Sequence, residues 1–165
     1  MGKAKDKEAV HFVAAGDVFL GGKIVREDGT FKEVITYKPE SAFDGVAPIF
    51  QEADVAFCNL ESSLSDRGAP QKGRASAFIS RPENIHVLKG SGIDVVSFAN
   101  NHSMDFGPEA MLHTLELLDR YGIHHAGAGA DSGEARRPAL IEKKGITLAF
   151  LAYATNINVP PRTAA

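Results

Sequence analysis

The chain has one cysteine, Cys58, among its 165 residues. A lone thiol excludes an intramolecular disulfide and leaves nothing from which to build a thiolate metal cluster. Long hydrophobic runs are missing as well. Each apolar stretch is short and broken by glycine or a polar side chain, far from the roughly 20 residues needed to cross a bilayer. Nor is there a surplus of positive charge: 18 Lys and Arg stand against 21 Asp and Glu, for a net charge of -3. Without a long basic run, the sequence argues against nucleic acid as a partner. The opening Met-Gly-Lys-Ala-Lys-Asp-Lys-Glu is charged and lacks the apolar core of a secretory signal. Asp6 breaks the myristoylation pattern that Met1-Gly2 begins. The chain as given therefore reads as cytoplasmic, which leaves a membrane- or surface-linked longer form open. It divides into a charged tail over 1–9, one domain over 10–156 and a second tail over 157–165.

What is present is the balance of an ordinary globular protein, 44% hydrophobic and 24% charged. Apolar runs alternate with helix-like segments, which predicts an α/β fold with a mostly parallel sheet flanked by helices. Strands are expected at His11–Ala15, Asp54–Cys58, Asp94–Phe98 and Ile123–Ala126, with a loop or hairpin over Gly21–Pro39 and a loop over Ser62–Gly73. Ser41 and Ser80 head capping-box patterns for short helices, and Pro108 opens the clearest one. Its Met111, Leu112, Leu115 and Leu118 form one apolar stripe, and Gly122 is placed to end it. Ala139–Glu142 and Ile146–Tyr153 read as a hairpin turning at Lys143-Lys144-Gly145. With no further element after Tyr153, the sheet is expected to have a face or edge still to cover, as in a piece of a longer protein.

Three of the strands run into compact polar groups: Asp17, then Asn59 and Glu61, then Asn101 and His102. Strand C-termini of a parallel sheet share one edge, where ligands bind. Two carboxylates, two amides and an imidazole would meet there, a donor set suited to Mn, Fe, Zn or Mg. Each residue has a bland reading alone. Asp17 is a typical turn residue, Glu61 a solvated acid, and Asn-His a loop pair bonded to backbone. Their joint occurrence after apolar strands carries the case. The other histidines do not extend it. His124 and His125 are neighbours on a short strand and point to opposite faces, and His125 is the one that faces either the cleft edge or, more simply, the surface. His86 and His113 fall on helices, and Cys58 reads as a small core residue. Arg136-Arg137 reads as a solvated pair or a contact for an anion. Tyr153, Thr155 and Asn156 are placed at the same edge.

At these residues the sequence resembles CapA-like proteins, a family tied to poly-γ-glutamate capsule synthesis. The resemblance rests on Gly16-Asp17-Val-Phe-Leu-Gly, Asp54-Val-Ala-Phe-Cys-Asn59-Leu-Glu61-Ser and Phe98-Ala-Asn-Asn-His102-Ser-Met-Asp105-Phe-Gly107. It continues through Thr114-Leu-Glu-Leu-Leu-Asp, Gly127-Ala-Gly129 and Glu134-Ala-Arg-Arg-Pro138, and runs from about His11 to about Thr155. It implies the α/β sandwich of the calcineurin-like metallophosphoesterases, here its N-terminal half. It further implies up to two divalent ions, with Asp17, Asn59, Glu61 and Asn101 as metal-binding residues and His102 as the catalytic proton donor. Asp105 is in reach of two roles, orienting His102 or capping the helix from Pro108, and the spacing favours the cap. Phe19 stands where the wider superfamily keeps a histidine, a substitution that CapA-like proteins share. The superfamily's later histidine blocks have no counterpart, so the chain is expected to hold part of a site.

Three readings follow. One is a metal-dependent hydrolase or transferase acting on an anionic polymer or a phosphate-containing substrate. Another is a component that binds polymer or capsule synthase without catalysis. The third is a fragment that pairs with a missing half or self-associates over its exposed sheet.

Overall fold

The computed structural model describes residues 9–26, 28–34, 41–72 and 76–155. Most of the charged N-terminal tail, the C-terminal tail and Asn156 lie outside the described residues. Four strands, β1 (Phe12–Val18), β4 (Val55–Leu60), β7 (Val95–Ser97) and β8 (His124–Ala126), form one sheet in the order β1-β4-β7-β8. Every neighbouring pair in it is parallel. This is the predicted sheet, with strand ends moved by a few residues.

The central strands are sorted by the two-residue alternation of side chains. In β4, Ala56, Cys58 and Leu60 face one way and join Val96, Phe98, Leu115 and Leu118 in the main core. That side is covered by α1 (Ala47–Glu52), α2 (Ile85–Gly90) and α3 (Gly107–Arg120). Val55, with Val95 and Ala126, faces the opposite way, against Ala139 and Ile141. Those last two belong to a hairpin of β9 (Ala139–Lys143) and β10 (Ile146–Phe150) that forms a separate antiparallel sheet. The central sheet therefore has helices on one face and a second sheet layer over part of the other, an α/β sandwich. Phe57 and Phe150 stack across the layers at 6.1 Å and 9°. Lys144 and Gly145 turn the hairpin with φ of 52° and 72°, the paired left-handed conformation of a tight hairpin turn. Coverage stops at β1, where Phe12 is 47% exposed although its ring meets Phe57 and Phe150.

Several expectations need correction. Ser62–Gly73 is not only loop: it contains the short β5 (Ser63–Leu64). A strand over 76–80, β6 (Ser76–Ser80), pairs with β5 and with β2 (Gly22–Arg26), and β2 pairs with β3 (Phe31–Val34) as the hairpin reading foresaw. The result is a small mixed sheet, β3-β2-β6-β5. Ser80 is buried in β6, where its hydroxyl bonds that of Ser62, so it caps no helix. The α1 cap position is Val46, without a side-chain bond, so Ser41 is no cap either. Helix α3 ends as predicted, with Gly122 at φ 64° just beyond it. A one-turn helix, α4 (Ser132–Ala135), is capped by Asp131, whose Oδ1 accepts from the amides of Gly133 and Glu134.

Cys58 is fully buried, and desolvation pushes its thiol pKa up to about 12. Because the thiolate is the reactive form, the native protein is expected to leave a disulfide reagent unconsumed at pH 8 and to titrate one thiol in denaturant. A native-state reaction on the mixing timescale would contradict the burial. No helix among the described residues is long and apolar enough to cross a membrane.

Candidate functional site

The site begins with a break in the β1–β4 ladder. Ala14 pairs with Phe57, but Asp17, three residues on, pairs with Asn59, two residues on. The extra residue in β1 is a bulge, the usual device for re-aiming a side chain at a sheet end. It sets Asp17 beside Asn59, whose Nδ2 donates to Asp17 Oδ1 at 2.7 Å. Asn59 Oδ1 in turn accepts from Asn100 Nδ2 at 3.2 Å, and that amide also donates to the Leu60 carbonyl at 2.8 Å. Asn100 Oδ1 takes the His102 backbone N–H at 2.9 Å. The three strand ends are thus linked by one hydrogen-bonded chain, from Asp17 through Asn59 and Asn100 to His102.

Asp105 completes the chain and corrects the expectation that it caps α3. The cap position there is Phe106, with no side-chain bond. Asp105 is fully buried, and its Oδ2 meets His102 Nδ1 at 2.7 Å and accepts the Phe78 N–H at 2.7 Å. A carboxylate accepts only, so Nδ1 carries the imidazole proton and Nε2 is left for chemistry. Phe78, from β6, also stacks on the His102 ring at 4.0 Å and 5°. Phe19 packs on Phe78 in turn, with ring centroids 5.1 Å apart. Phe19, Phe78 and His102 thus form a run of contacting rings.

Glu61 follows β4 directly, and its backbone N–H donates to the Val18 carbonyl at 2.9 Å. Its carboxyl is held above the usual range, first by burial, then by the negative charge of Asp17; Asp105 adds to this and His102 opposes it. The folded state therefore binds the Glu61 proton more tightly than the unfolded chain does. The associated stability is full at low pH and is lost as pH rises through the folded pKa. Stability is expected to fall over the window above pH 4.5, the ordinary value for Glu61. Glu61→Gln is expected to flatten that part of the profile, measured as the urea midpoint against pH. An unchanged profile in the variant would contradict the placement.

All five predicted residues lie at this sheet edge: Asp17 at the end of β1, Asn59 in β4, Glu61 after it, and Asn101 and His102 in the turn after β7. Sequence reasoning missed Asn100 as the amide that joins the strands, and Phe78 altogether. Asn100 was visible as half of an Asn-Asn pair, whereas Phe78 comes from a different sheet and left no signal. His125 does not face this edge; its Nε2 lies 3.2 Å from Asp119 Oδ1 on α3. His86 meets Tyr121, and His113 bonds the Ser65 hydroxyl, both away from the site. Tyr153 is exposed beyond the end of β10.

The oxygen donors of Asp17 and Glu61 suit a hard divalent cation, and their mutual repulsion is what a cation relieves. They do not complete a site. Among the described residues no three His, Cys, Asp or Glu side chains are grouped so as to hold a metal ion.

Comparison with known proteins agrees with the motifs. The chain matches the family model of the bacterial capsule synthesis protein PGA_cap over residues 11–164. It is 36% identical over 119 residues to an uncharacterized protein of Sinorhizobium fredii, covering 69% of this chain and 26% of that one. It is 27% identical over 143 residues to the PGA biosynthesis protein CapA of Bacillus subtilis, covering 84% of this chain and 35% of the relative. With the capsule biosynthesis protein CapA of Bacillus anthracis it shares 23% identity over 155 residues, 92% of this chain and 36% of the relative. The chain thus spans about a quarter to a third of the length of these relatives. With a match covering nearly its whole length, the chain belongs to the bacterial capsule synthesis protein family PGA_cap.

Proposed function

We propose that this chain carries part of the active site of a metal-dependent, phosphoesterase-like hydrolase or transferase that acts in poly-γ-glutamate synthesis. The observation that supports it is the single hydrogen-bonded chain joining three strand ends, Asp17–Asn59–Asn100–His102, closed by buried Asp105. That chain lies at the carboxyl ends of the parallel strands, where ligands of open α/β sheets bind.

In this reading Asp17 and Glu61 would hold a divalent ion together with donors beyond the described residues, and such an ion would supply Lewis acidity at the site. Asn59 and Asn100 fix the Asp17 carboxylate and bind the strand ends together. Asp105 holds the Nδ1–H of His102, and its negative charge favours the imidazolium, whose Nε2–H can pass its proton to a leaving oxygen. Phe78 and Phe19 hold the imidazole plane. The relatives whose names specify PGA or capsule biosynthesis point to the polymer pathway.

The test is hydrolysis of a phosphodiester chromogen and chain-length change of poly-γ-glutamate with Mn²⁺, using the chain within its natural protein. His102→Ala and Asp17→Asn are each expected to remove at least about 100-fold of the rate, the usual range for a general acid. Activity undiminished in both variants would overturn the enzymatic reading and leave a binding component.

A further inference from the structure

A cavity of about 330 Å³ adjoins the strand-end cluster and shares Asn100 with it. Its wall comes from the turn before α3, the first turns of α3, the loop from β8 to α4 and the segment after β10. The loop from β8 contains the conspicuous block Gly127-Ala-Gly129, and the end of α4 with the residues after it the block Glu134-Ala-Arg-Arg-Pro138; the reaction centre uses neither.

These blocks build the cavity. A Cβ at Gly127 would stand 2.5 Å from Ala99 Cβ and 2.9 Å from Ala152 Cβ, and φ there is +93°. A Cβ at Gly129 would stand 2.6 Å from the Ala135 amide nitrogen. Glycine at both positions lets the loop close against the segments that follow β7 and β10 and against α4. The loop's acids are then consumed internally: Glu134 Oε2 accepts from the Ala130 N–H at 2.9 Å, and Asp131 Oδ1 accepts from two amides. Those bonds, with Arg137 nearby, hold the Asp131 carboxyl below its usual range. Arg136 is different. It lines the cavity, is exposed, and pairs with no carboxylate among the described residues. The rest of the wall is mostly apolar, with Met104, Met111, Leu112 and Ala128, while Asn100, Ser103, Ser132 and the amide-bonded Asp131 are its polar members.

We propose that this cavity is a subsite for one carboxylate-bearing unit of a γ-linked glutamate chain, anchored by Arg136, with its methylenes against Met111 and Leu112. The inference rests on the capsule-polymer reading above and adds where and how the polymer is gripped. One unspent guanidinium in a mostly apolar wall matches a monoanionic carboxylate on a short hydrocarbon spacer. A phosphate dianion would set a second negative charge beside a single guanidinium in a cavity that the Asp131 carboxylate also lines. The shared Asn100, whose Oδ1 accepts the His102 N–H, connects the cavity to the strand-end cluster.

The test is amide chemical-shift mapping on the chain with three probes: glutarate, a γ-linked glutamate trimer and inorganic phosphate. Glutarate and the trimer are expected to shift the amides of Gly127, Ala128 and Gly129. Arg136→Gln is expected to weaken both by roughly tenfold or more, the size of one lost charge-assisted hydrogen bond, and Arg136→Lys to retain part of the affinity. No shifts with either carboxylate, equal affinity in Arg136→Gln, or equal competition by phosphate would overturn the subsite. Arg136-dependent binding of glutarate without the trimer would support the carboxylate anchor and overturn the polymer reading beneath it. Loss of the His102 effect on turnover would overturn the enzymatic reading and leave the subsite standing.

Discussion

Asp105→Ala is expected to destabilise the protein by about 3 kcal/mol, because two charge-assisted hydrogen bonds disappear from a fully buried position. The Phe78 N–H is then left without its acceptor inside the fold, and the His102 imidazole loses the group that fixes its tautomer. Thermal unfolding would read this as a fall of roughly 10 °C for a chain of this size. A second readout separates position from stability. In Asp105→Asn a side-chain oxygen remains for the Phe78 amide, but an uncharged amide no longer favours Nδ1–H on His102. Ring ¹⁵N shifts of His102 are expected to change from the Nδ1–H form toward a mixture of tautomers, while the global fold persists. Unaltered ring shifts in Asp105→Asn would mean that Asp105 does not govern the imidazole.

The second large effect is expected at Phe98. Its side chain is fully buried in the main core, directly before Ala99 and Asn100. The backbone N–H of Phe98 donates to the Ala126 carbonyl at 2.9 Å, which ties the end of β7 to β8. Truncation to alanine removes a ring from close-packed surroundings, at a cost of about 4 kcal/mol. The consequence reaches the site, since the turn carrying Asn100 and His102 starts one residue later. Phe98→Leu keeps most of the volume and is expected to cost less than half as much. Urea unfolding of both variants checks the order; equal losses would mean that the site is not packed as described.

How much of this was legible beforehand differs by residue. The parallel sheet was legible, because Val55-Ala-Phe-Cys58 and Val95-Val-Ser-Phe98 are largely apolar runs, and α3 because its stripe recurs at helical spacing. Asp17, Glu61 and His102 were legible for the same reason, since polar residues directly after such runs fall on one edge. The small sheet was not. β5 and β6 are short and rich in serine, and Ser62, Ser63 and Ser80 are buried by hydrogen bonds that no hydrophobic pattern announces. Missing β6 meant missing Phe78, and with it the ring contact of Phe19. The role of Asp105 was misjudged because spacing to Pro108 is local information, while its partner Phe78 lies 27 positions away. The bulge that aligns Asp17 with Asn59 is likewise a property of the ladder, invisible in either strand alone.

The central claim, that the strand ends form one cation-dependent centre, is tested most directly by titrating the chain with Mn²⁺ and mapping paramagnetic broadening of its amides. The account predicts broadening centred on Asp17, Asn59, Glu61 and Asn100, lost when Asp17→Asn and Glu61→Gln are combined. Broadening that is absent, spread evenly over the acidic surface, or unchanged in the double variant would contradict it.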